Sequence, residues 1–263
     1  MRIALGIEYN GADFCGWQSQ ASGCGVQDHV ESALNTFLAA PSAAVSVICA
    51  GRTDAGVHAS SQVVHFDCAI LRDEISWVRG VNTYLPPSIR ILWSKPVDDE
   101  FHARFSARSR TYRYLLLNDG VEAGIMRHQA GWFHLPLNAA AMRQAAAVLV
   151  GEHDFSAFRA AECQAKTPVR CLYEAKVEAH GQLLVFSFRA NAFLHHMIRN
   201  IVGSLVYVGA GRHSIDEFRR IFESRNRVLA APTFAAAGLY LTDIEYDEKF
   251  GLPAARRRLL FPG

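Results

Sequence analysis

An α+β fold is predicted for this 263-residue chain by three observations. Each half mixes strand-like segments with helical ones. The segments on either side of His180-Gly181-Gln182 are joined tightly enough to pair as an antiparallel hairpin. Half of the residues are hydrophobic, so a large core can cover both kinds of element. The elements follow in chain order. Residues 2–9 alternate, with Ile3, Leu5, Ile7 and Tyr9 on one face and Arg2 and Glu8 on the other, the pattern of a half-buried strand. Asn10-Gly11 opens a polar loop that runs through Trp17-Gln18 to Gly23 and Gly25. A helix over 27–39 follows, with Val30, Ala33, Leu34, Phe37 and Leu38 as its apolar stripe. Strands at 45–49, 61–68 and 89–97, the last entered after the breaker Pro86-Pro87, complete a first half over 1–105. The second half, 106–263, restarts with a strand at 111–117. Asn138 caps an alanine-rich helix that stops at Gly151, and strands at 171–179 and 183–190 form the hairpin. A helix over 194–208 comes next, and Ser214 with Glu217 opens another as a capping box. The similar content of the halves points to a duplicated unit, although no repeat is visible in the letters. Residues 254–263, with Arg256-Arg257-Arg258, read as a mobile basic tail.

The charge total, 27 basic against 25 acidic side chains, does not by itself mark a nucleic-acid binder. Its distribution is more telling. Residues 101–118 hold Arg104, Arg108, Arg110 and Arg113 with no carboxylate, and 186–215 hold Arg189, Arg199 and Arg212 with none. Arginine grips phosphate bidentately and stacks on bases, so these segments suit a basic cleft on a near-neutral protein; a solvated basic face is the plainer reading. The six cysteines form no C-x-x-C pair, and Cys49 and Cys68 lie in apolar strands as small hydrophobes. No signal peptide is visible, and no apolar run approaches the ~20 residues of a membrane helix. A reducing cytoplasm fits best. The histidines are scattered and His195-His196 are adjacent, which disfavours zinc.

The segment Gly51-Arg52-Thr53-Asp54-Ala55-Gly56-Val57-His58 concentrates the chemistry. Asp54 is the only acidic side chain between Ser32 and Phe66. It sits in a glycine-flanked loop between two strands, where catalytic groups are commonly held. Two readings stand: a carboxylate kept for its reactivity, or a turn aspartate closing an Asx turn.

Further segments fall into line with that loop. They are Tyr9-Asn10-Gly11, Gly16-Trp17-Gln18, Phe101-His102-Ala103-Arg104-Phe105-Ser106-Ala107, Tyr112-Arg113-Tyr114, Asp154-Phe155-Ser156-Ala157-Phe158, and Asn191 through Gly203 with His195-His196-Met197-Ile198-Arg199-Asn200. Together they make the chain resemble the TruA family of tRNA pseudouridine synthases from residue 2 to Tyr246. Asn10 departs from the aspartate expected in the Tyr-Asp-Gly segment.

The resemblance implies a pseudouridine synthase fold: two similar α/β sandwich-like halves with mostly antiparallel sheets, meeting at a central active-site cleft. It implies isomerisation of uridine at positions 38, 39 and 40 of the tRNA anticodon stem-loop. The base is cut from C1′ of its ribose, turned and rejoined through C5, with no cofactor and no metal. Asp54 would be the nucleophile, at C1′ or at the uracil ring, or else a base at the sugar. Arg199 would be the cation that keeps it ionised, and Tyr112 the tyrosine that stacks on the uracil and helps move the C5 proton, Tyr114 being its near neighbour on the same face. Arg52 would hold the backbone or fill the space of the extruded base, whose unstacking costs a few kcal/mol. Arg104 and Arg110 would bind the tRNA substrate. A homodimer with tRNA across both subunits is implied, with residues 139–150 and 229–237 available as interface or as core.

Two other classes fit the residues less well. An RNA-binding or chaperone protein without turnover would not need an isolated carboxylate. An aspartyl-phosphate hydrolase would need clustered acids for magnesium, and none accompany Asp54.

Overall fold

The computed structural model describes residues 1–39, 44–70 and 72–253. The basic tail read at 254–263 lies outside the described residues. In chain order the elements are β1 (Arg2–Tyr9), α1 (Val26–Leu38), β2 (Ile48–Cys49), β3 (His58–Asp67), α2 (Glu74–Asn82) and β4 (Ile89–Val97). Then come β5 (Ser109–Asn118), β6 (Gly131–Phe133), α3 (Ala139–Ala147), β7 (Gly151–Asp154), β8 (Val169–His180), β9 (Leu183–Ala190), α4 (Met197–Gly209), α5 (Ile215–Glu223) and β10 (Leu239–Glu245). Among the described residues they group into two compact units, the first over Met1–Arg108 with 240–253, the second over Ser109–Leu239. No helix among the described residues is long and apolar enough to cross a membrane.

In the first unit the strand order is β4-β1-β3-β10, with β2 on β3. β1 is antiparallel to both neighbours, and Tyr240 and Leu241 run parallel to His58 and Ala59 of β3. The alternation of residues 2–9 predicts a half-buried strand, but Ile3 through Ile7 are buried on both faces. β1 is central, and its second face is covered because Ala4 and Gly6 are small: the Trp93 ring lies where a Gly6 side chain would stand. Asp73 caps α2, an element absent from the sequence reading, through Ser76 N at 2.6 Å. Trp77 of that helix packs edge-on to Phe37 of α1 and Phe66 of β3.

His65 makes this unit acid-sensitive. Its Nδ1 accepts the Ala103 amide at 3.1 Å, which requires a neutral ring. Burial, then the Arg2 and His102 charges, push it from 6.5 down to about 4. The unfolded chain therefore takes up a proton that the folded one refuses. Stability from this group is full above 6.5 and drains as pH falls toward 4, by on the order of 2–3 kcal/mol. Thermal melts between about pH 7 and pH 4.5 are expected to show that loss, with a shallower slope in His65→Gln.

The second unit carries an antiparallel sheet ordered β5-β9-β8-β7, with β6 parallel to β5. The β8–β9 hairpin turns at Gly181 as the sequence predicts. Asn138 caps α3 by accepting Ala141 N at 3.0 Å. That helix ends at Ala147 rather than at Gly151, which instead opens β7 with φ +118°. Ser214 and Glu217 form the predicted capping box of α5. The helix expected from 194 begins at Met197, because His196 adopts a left-handed φ of 59° and serves as N-cap. α4 is buried on nearly every side, which changes the meaning of its missing acids: the positions are core.

Candidate active site

The Asp54 loop is built from the first unit. Gln62 of β3, fully buried, donates from Nε2 to Gly51 O at 2.7 Å, and Ala50 N donates to Val63 O at 2.8 Å. Thr53 is held twice, its hydroxyl 2.7 Å from the Tyr9 hydroxyl and its carbonyl accepting Trp17 N at 3.0 Å. The turn that follows is closed by main chain, Val57 N to Asp54 O at 3.1 Å, with Gly56 at φ +76°. Gly56 N reaches Phe14 O at 3.4 Å. Gly16, at φ +96°, passes directly beneath: a side chain there would lie 2.7 Å from Thr53 O and 3.1 Å from the Asp54 carbonyl carbon. Beyond the turn, His58 Nδ1 accepts Gly11 N at 3.0 Å, and its ring stacks on Tyr240 at 4.6 Å. Burial pushes that tyrosine up to about 12, so its hydroxyl stays protonated.

A half-buried carboxylate thus stands on a loop whose neighbours are fixed by main-chain and buried side-chain bonds. Such a scaffold restricts the motion of that carboxylate. Arg52 and Arg104 of the same unit are exposed. Asn10 keeps its place as an Asx-type turn residue, its Oδ1 accepting Ala12 N at 3.1 Å. Its carbonyl oxygen does there what a carboxylate oxygen would.

A family model described as tRNA pseudouridine synthase matches residues 6–106 and 145–247. The chain belongs to that family. It is an isomerase family, and its relatives match end to end. tRNA pseudouridine synthase A of Methylobacillus flagellatus is 54% identical over 259 residues, covering 98% of both chains. The protein of that name from Thiobacillus denitrificans is 52% identical over 261 residues, covering 99% of each, and one from Paraburkholderia xenovorans is 53% identical over 253.

In the second unit the two tyrosines of β5 separate by environment. Tyr114 is fully buried, its hydroxyl donates to Ala235 O at 2.8 Å, and Gly131 and Gly238 lie against its ring. It is a core residue. Tyr112 is 7% exposed, with its ring edge-on to Phe193 at 5.1 Å. Arg199, half-buried, enters from the first turn of α4. Its Nε donates to Phe234 O at 2.9 Å, while Phe234 N donates back to Arg199 O at 3.2 Å. Behind it, buried Asn200 donates to Phe158 O and accepts Arg227 Nη2 and the Thr233 hydroxyl. Arg227 also binds the Ala230 and Ala231 carbonyls, so the segment leading to Phe234 is anchored.

The arginine-rich segments are less uniform than their lack of acids implies. Arg108 pairs with Asp247 at 2.5 Å, a carboxylate far away in sequence. Arg110 holds Asn191 O at 2.8 Å, and Arg189 lies over the Tyr173 ring. Among the residues the sequence reading gave no role are Tyr9, Gly16 and Trp17, which support the Asp54 loop. Their motifs carried the resemblance without showing why. Phe105 is a further one: it is 75% exposed beside Arg104, and an aromatic between polar residues on a tight loop was its only signal.

Proposed function

We propose that this enzyme isomerises uridine at positions 38, 39 and 40 of the tRNA anticodon stem-loop, with Asp54 as its nucleophile and without a cofactor or metal. The observation that carries this reading is the rigid seat of Asp54: Thr53 and Gly56, on either side, are fixed through bonds to Tyr9, Trp17 and Phe14. In the reaction the N1–C1′ bond breaks and a C5–C1′ bond forms, C5 loses its proton, and N1 gains one. Asp54 opens the exchange at the sugar or the ring. Tyr112 is proposed to stack on the uracil and relay the C5 proton, and Arg199 to keep the carboxylate ionised. The first half, 1–105, then contributes the nucleophile loop, and the second half, 106–263, the tyrosine and the arginine. Arg52 is proposed to hold the phosphate backbone or fill the space of the extruded base, and Arg104 and Arg110 to bind the phosphate backbone. A cytoplasmic homodimer acting on tRNA completes the reading.

The test is pseudouridine mapping on an unmodified tRNA transcript treated with the purified protein. Conversion at positions 38 to 40 supports the assignment. Tight binding with no conversion moves a non-catalytic RNA-binding role to the front.

The arginines make a separate prediction. Arg104→Ala, at an exposed side chain, should weaken tRNA binding and lower the slope of log K against log salt by about one. Arg110→Ala should weaken binding and also lower thermal stability, because its guanidinium holds the Asn191 carbonyl. Filter binding across a salt series and a melt of each variant check both statements.

A further inference from the structure

We infer that Cys15 and Cys24 form a reversible thiol–disulfide pair that sets the rigidity of the Asp54 loop. The two residues are bonded in the structure, with Cα atoms 5.4 Å apart, and lie nine positions apart in sequence. The pairing does not depend on sulfur alone, since Cys15 N donates to Cys24 O at 3.0 Å and keeps the thiols together when reduced. Cys15 is exposed and Cys24 half-buried, and the whole of 18–23 between them is exposed, so small thiols and disulfides have access. Solvent-accessible disulfides are the ones that small thiols reduce most readily.

Its position gives it consequence. Phe14, one residue before Cys15, accepts Gly56 N, and Trp17, two residues after, donates to Thr53 O. Gly16 between them lies against the Thr53 carbonyl and the Asp54 main chain. Every main-chain bond named here from this strap to the Asp54 loop therefore falls within two residues of Cys15. The other sulfur, on Cys24, is fixed to the start of α1, where Gly25 N binds Asp28 Oδ2 at 2.9 Å and Val26 N binds Gly16 O at 3.0 Å. The disulfide ties the underside of the Asp54 loop to a helix end.

Closing the pair needs an oxidant, and a low-molecular-weight disulfide such as oxidised glutathione supplies it. One cysteine thiolate attacks that disulfide and releases one small thiol. The second cysteine thiolate displaces the other small thiol from the mixed disulfide. Two cysteine thiols and one small disulfide become one protein disulfide and two small thiols. Cys49 does not compete, because burial pushes its thiol up to about 12. Cys163 is an accessible rival: burial opposes its ionisation, but the Ala165 and His195 amides and Arg159 outweigh it and lower its thiol. Peptide mapping separates the two sites. The effect on rate is bounded, because Asp28 also holds Ser19 and Gln20 and so keeps the strap near its place after reduction.

The effect on turnover rests on the reading of Asp54 as nucleophile; the effect on loop rigidity does not. The full chain is equilibrated in glutathione buffers from reducing to oxidising. Free thiols are alkylated and mapped, amide hydrogen exchange is followed at Trp17, Gly56 and Val57, and single-turnover conversion of a tRNA transcript is timed. Expected are a Cys15–Cys24 crosslink that appears reversibly, slower exchange at those amides when it is present, and conversion roughly two- to five-fold faster, the scale of improved positioning. Cys15→Ser/Cys24→Ser should exchange and convert at the reduced rate in every buffer. No crosslink at any poise, or exchange unchanged by the crosslink, overturns the proposal. Crosslink-dependent exchange with no conversion at either extreme upholds the pair and counts instead against the catalytic reading. Conversion that is measurable yet indifferent to the crosslink overturns its coupling to turnover.

Discussion

Asp54→Asn should reduce single-turnover conversion of uridine by at least about a thousand-fold, the order expected when an acting nucleophile is lost. Binding of tRNA should stay within a few fold of the wild type. The reasoning is local. Asparagine has nearly the shape of aspartate, and the Asp54 main-chain oxygen that accepts Val57 N in the turn is untouched by the substitution. Thr53 remains pinned by Tyr9 and Trp17, so the loop keeps its course. What is removed is a negative charge and its lone-pair reactivity, and losing a negative charge does not oppose a polyanion. Parallel rate and binding measurements on one transcript check it. A variant that loses binding and rate together would place Asp54 in the architecture of the tRNA interface rather than in the bond-breaking step.

What could be read ahead of the structure followed from how local each signal was. Asn138, Ser214 with Glu217, and the Gly181 turn act through neighbours within a few residues, and all three stand as predicted. The Asp54 loop is legible for the same reason: its glycines lie within a few letters of it, and its isolation shows in the otherwise acid-free run from Ser32 to Phe66. β10 has no comparable local signal, because its parallel pairing with β3 joins residues more than 180 positions apart. α2 has a weak signal in the letters although Asp73 caps it, since its buried apolar stripe reduces to Trp77 and Val81. The acid-free stretch at 186–215 suits, as a sequence, a basic cleft or a solvated basic face. Much of it is core instead, for β9 and α4 exclude carboxylates by being buried. A run without acids has two physical causes, attraction for a polyanion and absence of water, and the letters alone do not distinguish them.

Arg199 survives that correction, and its removal is expected to have the second-largest effect. Among the α4 residues around it most are buried and apolar, whereas Arg199 is half-buried and charged, a placement that costs free energy unless the charge is used. Its Nε is committed to Phe234 O, and Arg227 anchors the segment leading to that carbonyl through four acceptors, so the guanidinium is aimed from behind. Arg199→Ala should slow conversion by about 100-fold, as when a group that stabilises charge in the reaction is lost. The protein itself should lose only about 1 kcal/mol for the missing hydrogen bond, since Phe234 N still binds the residue 199 carbonyl. Arg199→Lys separates the two contributions. It restores the positive charge but cannot repeat the fork that binds Phe234 O while presenting further donors. If charge alone sustains Asp54, lysine should recover most of the rate and shift its pH dependence little. If aim matters, lysine should recover stability and leave the rate near that of alanine. The anchored Phe234 carbonyl favours the second outcome, because a network that fixes one acceptor so firmly is wasted on a point charge.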